Sequence, residues 1–279
     1  STSQAFAALK ADGSVSAWGD SNSGGSTVPS DVTTPSVGAE VVFITSTEGA
    51  FAALKADGSV SAWGGADYGG SIVPSDVTDP LDGVEVILIA SNAQAFAVLK
   101  ADGSVSAWGY AGYGGSGVPA DVTAPSAGAE GVSIASTGAA FAVLKADGSV
   151  SAWGVSSSGG SGVPTDVITP SAGAEVVSIA STGAAFAVLK ADGSVSAWGG
   201  SGYGGSGVPT DVAAPGSGVV GIGSTNYAFA ALVPLTTAAP TSAPTATPTA
   251  TPTAAPTATP TATPTAAPTA APTATPTAT

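Results

Sequence analysis

Residues 9–19 read LKADGSVSAWG, and the same string returns almost unchanged four more times. Phe6, Phe51, Phe96, Phe141 and Phe186 are spaced 45 residues apart. Trp18, Trp63, Trp108, Trp153 and Trp198, all the tryptophans of the chain, keep the same step, as do its five lysines, from Lys10 to Lys190. Phe229 follows Phe186 after 43 residues, in a sixth copy that gives way to other sequence before any Asp-Gly pair. A fixed period of this size signals a propeller, a solenoid or another array of stacked units.

Within a unit the pattern is β. The segments FAALK and SVSAW flank Asp12-Gly13, a strong hairpin signal. A two-residue turn there predicts Lys10 opposite Val15, Leu9 opposite Ser16 and Ala7 opposite Trp18. Phe6, Ala8, Val15 and Ala17 then share one face, and Ala7, Leu9 and Trp18 the other. Neither face is polar, so each sheet is expected to be covered on both sides. A further strand precedes each hairpin, as in AEVVFITST and AEVVSIAST. The Gly-, Pro- and Ser-rich stretch after each Trp has room for a short outer strand around Val28. The unit is thus three or four short antiparallel strands, and no helical periodicity competes over ten or more residues.

The string VLKADGSVSAWGYAGYGG at 98–115 resembles the signature of RCC1-type repeats, in which a strand, an Asp-Gly turn, a Trp-Gly and a Gly-rich loop build a propeller blade. The resemblance covers residues 1–235. Its units are shorter and fewer than is typical of that family. It implies the blade and leaves a closed ring and an open spiral both standing. No charged surface for a nucleotide-exchange role is evident. The expected fold class is an all-β repeat protein of five to six propeller-like blades, followed by an extended polyproline II tail. Phe6, Trp18, Phe51, Trp63, Phe96, Trp108, Phe141, Trp153, Phe186 and Trp198 form its repeated core. The recurring Lys and Asp at the turn, as at Lys10 and Asp12, are expected to be solvated. Asp31, Asp76, Asp121, Asp166 and Asp211 are expected to accept backbone hydrogen bonds in Asx-type turns.

From residue 236 the chain changes regime. Proline falls at Pro240, Pro244, Pro248, Pro252, Pro256, Pro260, Pro264, Pro268, Pro272 and Pro276, each followed by threonine: Thr241, Thr245, Thr249, Thr253, Thr257, Thr261, Thr265, Thr269, Thr273 and Thr277. This composition builds no core and favours polyproline II. Residues 240–279 would reach roughly 120 Å at ~3.1 Å per residue. Threonine beside proline is the composition of O-glycosylated stalks, so those threonines are candidate glycan sites and the prolines candidate hydroxylation sites. Asn22, Asn92 and Asn226 all lack an N-glycosylation context. The tail resembles those of hydroxyproline-rich extracellular glycoproteins of plants and green algae.

The chain carries no Cys, Met, His or Arg, and a net charge of -14. That argues against DNA, RNA and anionic membranes as partners, and against His- or Cys-based catalysis and metal binding. No cofactor beyond covalent O-glycans is expected, and no run of 18 apolar residues suggests membrane insertion. A start at Ser1 rather than Met raises the expectation of a processed, secreted form. The expected function is a structural subunit of an extracellular glycoprotein filament or wall-like layer, with self-assembly into a homopolymer. The alternative is a stalked carbohydrate-binding or adhesion module using the tryptophans and Tyr68, Tyr110, Tyr113 and Tyr203. An enzyme is not expected.

Overall fold

A computed structural model describes residues 1–234; the Pro/Thr/Ala segment, with every glycosylation and hydroxylation site expected on it, lies outside the described residues. The described chain is an all-β series of six small antiparallel sheets, one per repeat. The first pairs Ala5–Leu9 with Val15–Gly19. The next four have three strands each: Val41–Ser46, Ala50–Lys55 and Val60–Gly64 in the second, and their equivalents 45, 90 and 135 residues on. The sixth pairs Gly221–Ser224 with Phe229–Leu232. In each three-stranded sheet the Phe-bearing strand is central. These are propeller-like blades.

The hairpin register differs by one residue from that expected. Leu9 stands opposite Val15, Ala8 opposite Ser16 and Phe6 opposite Trp18. The cause is the turn. Gly13 N donates to Lys10 O at 3.0 Å, and Lys10 N donates to Ser14 O at 2.9 Å, so the loop is Ala11-Asp12-Gly13 rather than Asp12-Gly13 alone. Gly13 has φ 75°, the left-handed residue that closes a three-residue loop. A Cβ there would also stand 2.4 Å from the Glu40 Cβ of the next unit. The extra residue moves Trp18 onto the face of Phe6, and Val15 and Ala17 onto the face of Ala5 and Ala7.

That shift makes the packing intelligible. One face carries a Phe–Trp stack, with ring centroids 5.3 Å apart for Phe51 and Trp63 and 5.2 Å for Phe96 and Trp108. The other face is lined by Ala and Val. Successive sheets pack one kind of face on the other. Phe51, Ala53 and Trp63 sit against Ala5 and Val15 of the preceding sheet, with Val32 between them. Phe96, Val98 and Trp108 meet Ala50, Ala52 and Val60 in the same way, and the joint repeats through the fifth sheet. Small residues opposite large rings let the sheets approach closely. Each buried Phe or Val contributes about 1.5–3 kcal/mol of transfer free energy.

No outer strand forms around Val28. Ser21–Ser23 make a 3-10 turn, and Ser30–Thr33 make one helical turn after Pro29. Proline fixes a φ suited to opening a helix and cannot donate to a sheet, so the stretch turns rather than extends. Its Val32 is fully buried in the joint.

Two lines of backbone bonds tie the units together. Val41 N donates to Gly13 O, Val86 N to Gly58 O, Gly131 N to Gly103 O and Val176 N to Gly148 O, at 2.9–3.0 Å. A second line runs from Ser3 N to Glu48 O, Glu48 N to Ala93 O, Ala93 N to Gly138 O, Gly138 N to Gly183 O and Gly183 N to Asn226 O. The end sheets lack the cover of the inner ones. Phe6 and Trp18 are 55% and 54% exposed, against 1% and 2% for Phe51 and Trp63.

Candidate functional site

Three sets of repeated side chains stand out: the tryptophans, the lysines with their acids, and the tyrosine-bearing loops. Trp63, Trp108, Trp153 and Trp198 are buried, and each indole Nε1 donates to a glycine carbonyl of the preceding unit: Gly24, Gly69, Gly114 and Gly159, at 2.9–3.0 Å. Those glycines end the 3-10 turns in the left-handed region, and a Cβ on Gly69 would lie 2.7 Å from the Phe96 ring. The four indoles therefore hold neighbouring blades together and present no ring face to a ligand. Phe51, Phe96, Phe141 and Phe186 are buried beside them. Phe6 and Trp18 stack on one another at 5.8 Å with their outer face open.

The lysines are not the solvated groups expected of them, except for Lys10. Lys55 Nζ reaches Asp31 Oδ2 at 2.8 Å, and Lys100, Lys145 and Lys190 reach Asp76, Asp121 and Asp166 at 2.6–2.7 Å. Their side chains keep only 7–10% of their surface exposed, while the acids keep about half. A serine of the Trp strand joins each pair: Ser106 Oγ donates to Asp76 Oδ2 at 2.6 Å, and Ser196 Oγ to Asp166 Oδ2 at 2.7 Å. Each triad bridges two units, since the acid lies 24 residues before its lysine in the preceding repeat.

These acids therefore do not form the Asx-type turns expected of them. All five sit in the first turn of the one-turn helices, and all but Asp211 reach the next blade's lysine. Asp211 has no such partner, because the lysine's place in the sixth copy, four residues after Phe229, is taken by Val233. Burial raises the carboxyl pKa of Asp31, Asp76, Asp121 and Asp166, but hydrogen bonds from lysine and serine and the lysine charge outweigh it and hold each below the ordinary value. The Asx-type arrangement occurs instead at the hairpin turns. Asp12 Oδ1 accepts from Ser14 N at 2.9 Å and from Ser14 Oγ at 2.7 Å, and Asp57, Asp102, Asp147 and Asp192 repeat it.

The tyrosines divide by position. Tyr68, Tyr113 and Tyr203 end the 3-10 turns and are half-buried. Their carbonyls accept from Thr47 Oγ1, Asn92 Nδ2 and Thr182 Oγ1 of the same sheets' first hairpin turns, at 2.9, 2.6 and 2.9 Å. Tyr110 stands 48% exposed, edge-on to Tyr113 at 5.6 Å. Thr47, Asn92, Thr137 and Thr182 are buried hydrogen-bonding residues that reading along the sequence passes over. Their 45-residue spacing was the available signal.

Among the described residues no group of three or more acids is placed to hold a metal ion, and no helix is long and apolar enough to cross a membrane. A cavity of about 360 Å³ lies between the fifth and sixth sheets. It is lined by Ala187, Val195, Ala197, Gly204, Val208, Ile222, Phe229 and Ala231.

No protein-family model matches the chain, and no curated protein does. Solved structures of similar form exist at low identity. A crystal structure of human WBSCR16 is 20% identical, with a TM-score of 0.48 over 76% of this chain and 64% of that one. Prp20p from Saccharomyces cerevisiae, reported with its binding to Gsp1p and histones, is 18% identical, with a TM-score of 0.49 over 83% and 64%. The ectodomain of the Physcomitrella patens receptor kinase CR4 is 20% identical, with a TM-score of 0.46 over 86% and 58%. The chain thus spans less than two thirds of the length of each of these three proteins.

Proposed function

We propose that the chain is a non-catalytic structural subunit of an extracellular glycoprotein filament or wall-like layer. The blade region is the bead, and the Pro/Thr/Ala segment is a rod carrying O-linked glycans on Thr241 and its equivalents. The observation that carries this reading is the use of the conserved-length repeat. The stacked Phe and Trp rings of the inner blades are consumed in blade-to-blade joints, and Lys55, Lys100, Lys145 and Lys190 with their acids are consumed in bridging the same joints. Residues that would serve a ligand in a binding module serve the architecture here. The uncovered Phe6–Trp18 face is a ready half of that joint. A heterologous contact through it would extend a series of blades from one subunit to the next.

The test is sedimentation of the natural glycosylated protein together with glycopeptide mass spectrometry of residues 236–279. The reading expects concentration-dependent polymers and glycans on the tail threonines. A monomer with an unmodified tail counts against it. A stalked carbohydrate-binding module is the second reading, and exposed Tyr110 favours it. Its test is a glycan-array screen of the blade region, with loss of signal in Tyr110→Ala as the expected result.

A further inference from the structure

We propose that the sixth sheet is a docking site for an extended peptide segment of another polypeptide, one that carries a tryptophan and adds to the sheet as its third strand. The sheets from the second to the fifth each end in a Val-Ser-Ala-Trp-Gly strand paired with the Phe strand. The sixth stops at Phe229–Leu232, so that strand's outer edge is unpaired among the described residues. An unpaired edge offers its N–H and C=O groups to an incoming strand.

The 360 Å³ cavity lies beside this edge, where the missing tryptophan would go. In the fifth sheet Trp198 stands opposite Phe186, packs against Ala140, Ala142 and Val150, and donates to Gly159 O at 2.9 Å. The counterparts 45 residues on are Ala185, Ala187 and Val195, with Gly204 for the carbonyl. Ala187, Val195 and Gly204 line the cavity, and Phe229 and Ala231 form its other wall. The joint that elsewhere takes an indole is thus present in its receiving half. A bound strand would set its tryptophan opposite Phe229, with the indole N–H on Gly204 O. This continuity with the joint inside the molecule specifies the occupant's chemistry.

Residues 230–279 carry no Val-Ser-Ala-Trp-Gly sequence to offer this edge. No aromatic residue follows Phe229, and prolines from Pro240 onward lack the N–H a ladder needs. The exposed Trp18 belongs to Val15–Gly19, whose pairing edge is already held by Ala5–Leu9. Adding that strand by its other edge would turn Trp18 to the opposite face of the sheet.

The probe is a dye-labelled peptide, Gly-Ser-Val-Ser-Ala-Trp-Gly, titrated with the full chain by fluorescence anisotropy. Saturable one-to-one binding is expected, and replacing the peptide's tryptophan by alanine should weaken it at least tenfold. Ala231→Phe fills the cavity and should weaken binding at least tenfold. Should that variant misfold, a peptide with a photo-reactive group in place of the tryptophan gives the independent readout, with crosslinks expected on Ala187, Val195 or Phe229. Absence of saturable binding, indifference to the peptide's tryptophan, or crosslinks elsewhere would overturn the proposal. So would self-association of the chain that Ala231→Phe abolishes while the peptide fails to bind, which would make a second copy the occupant. Filament formation with no peptide binding would refute this site alone and leave the structural reading standing.

Discussion

Trp108 and Trp18 occupy the same place in the repeat, and truncating each to alanine should have very different costs. Trp108 is buried, stacks on Phe96 at 5.2 Å, and donates to Gly69 O at 2.9 Å. Removing a large buried ring typically costs about 3–5 kcal/mol, including the cavity left behind. Its hydrogen bond adds roughly 0.5–1.5 kcal/mol, because the buried Gly69 carbonyl loses its donor. Trp108→Ala should therefore cost about 3.5–6.5 kcal/mol. Trp18 is 54% exposed and makes no such bond among the described residues, so Trp18→Ala should cost about 1 kcal/mol or less. The assay is urea unfolding of the isolated chain followed by circular dichroism, at a concentration low enough to keep it dispersed. Stability in such an array is a sum of unit and neighbour terms, so Trp108→Ala should also split the transition, with blades on either side unfolding separately. Equal losses for the two variants would refute the claim that the joints between blades carry the stability.

Further outcomes follow from the bridges and turns. The acids of the lysine triads have folded pKa values below the ordinary 3.8, so their contribution is fully present above that value and is lost as pH falls through the lowered folded values. Asp76→Asn should destabilise the chain by about 1–2 kcal/mol at pH 7, by stranding the largely buried Lys100, and the difference from the parent should shrink in acid unfolding below pH 3.8. Asp211→Asn, with no lysine to bridge, should be near neutral in the same assay. Gly103→Ala should cost about 1–3 kcal/mol by urea titration, since φ is +77° and the new Cβ would stand 2.4 Å from the Glu130 Cβ.

Much of this fold is readable along the chain, because its information is periodic. Phe and Trp at a constant step mark the units, and alternating small and large apolar residues mark strands covered on both faces. The register escaped because Asp-Gly admits two loops. With Ala11 included, Gly13 takes the left-handed closing position, and every residue of the second strand moves to the other face. The predicted outer strand failed because Pro29 favours opening a helical turn over pairing. The lysine triads escaped for a different reason. Asp76 and Lys100 both follow local patterns that suit exposed turns, and only stacking of one blade on the next brings them within 2.7 Å. Asn92 and Thr47 escaped because their partners are carbonyls 21 residues away, brought to them only when the three strands of their own unit fold together. Contacts between units depend on the stacking offset, which a one-dimensional period does not encode. The incomplete sixth sheet, by contrast, is legible: its tryptophan is absent from the sequence.

Cryo-electron microscopy of the natural material tests the central claim most directly. The account predicts filaments or layers in which stacked three-stranded blades repeat along the assembly, with Phe6 and Trp18 covered by a neighbouring subunit and sugar density on the Pro/Thr/Ala rods. Dispersed single molecules, with the Phe6–Trp18 face open to solvent and no sugar on residues 236–279, would contradict it.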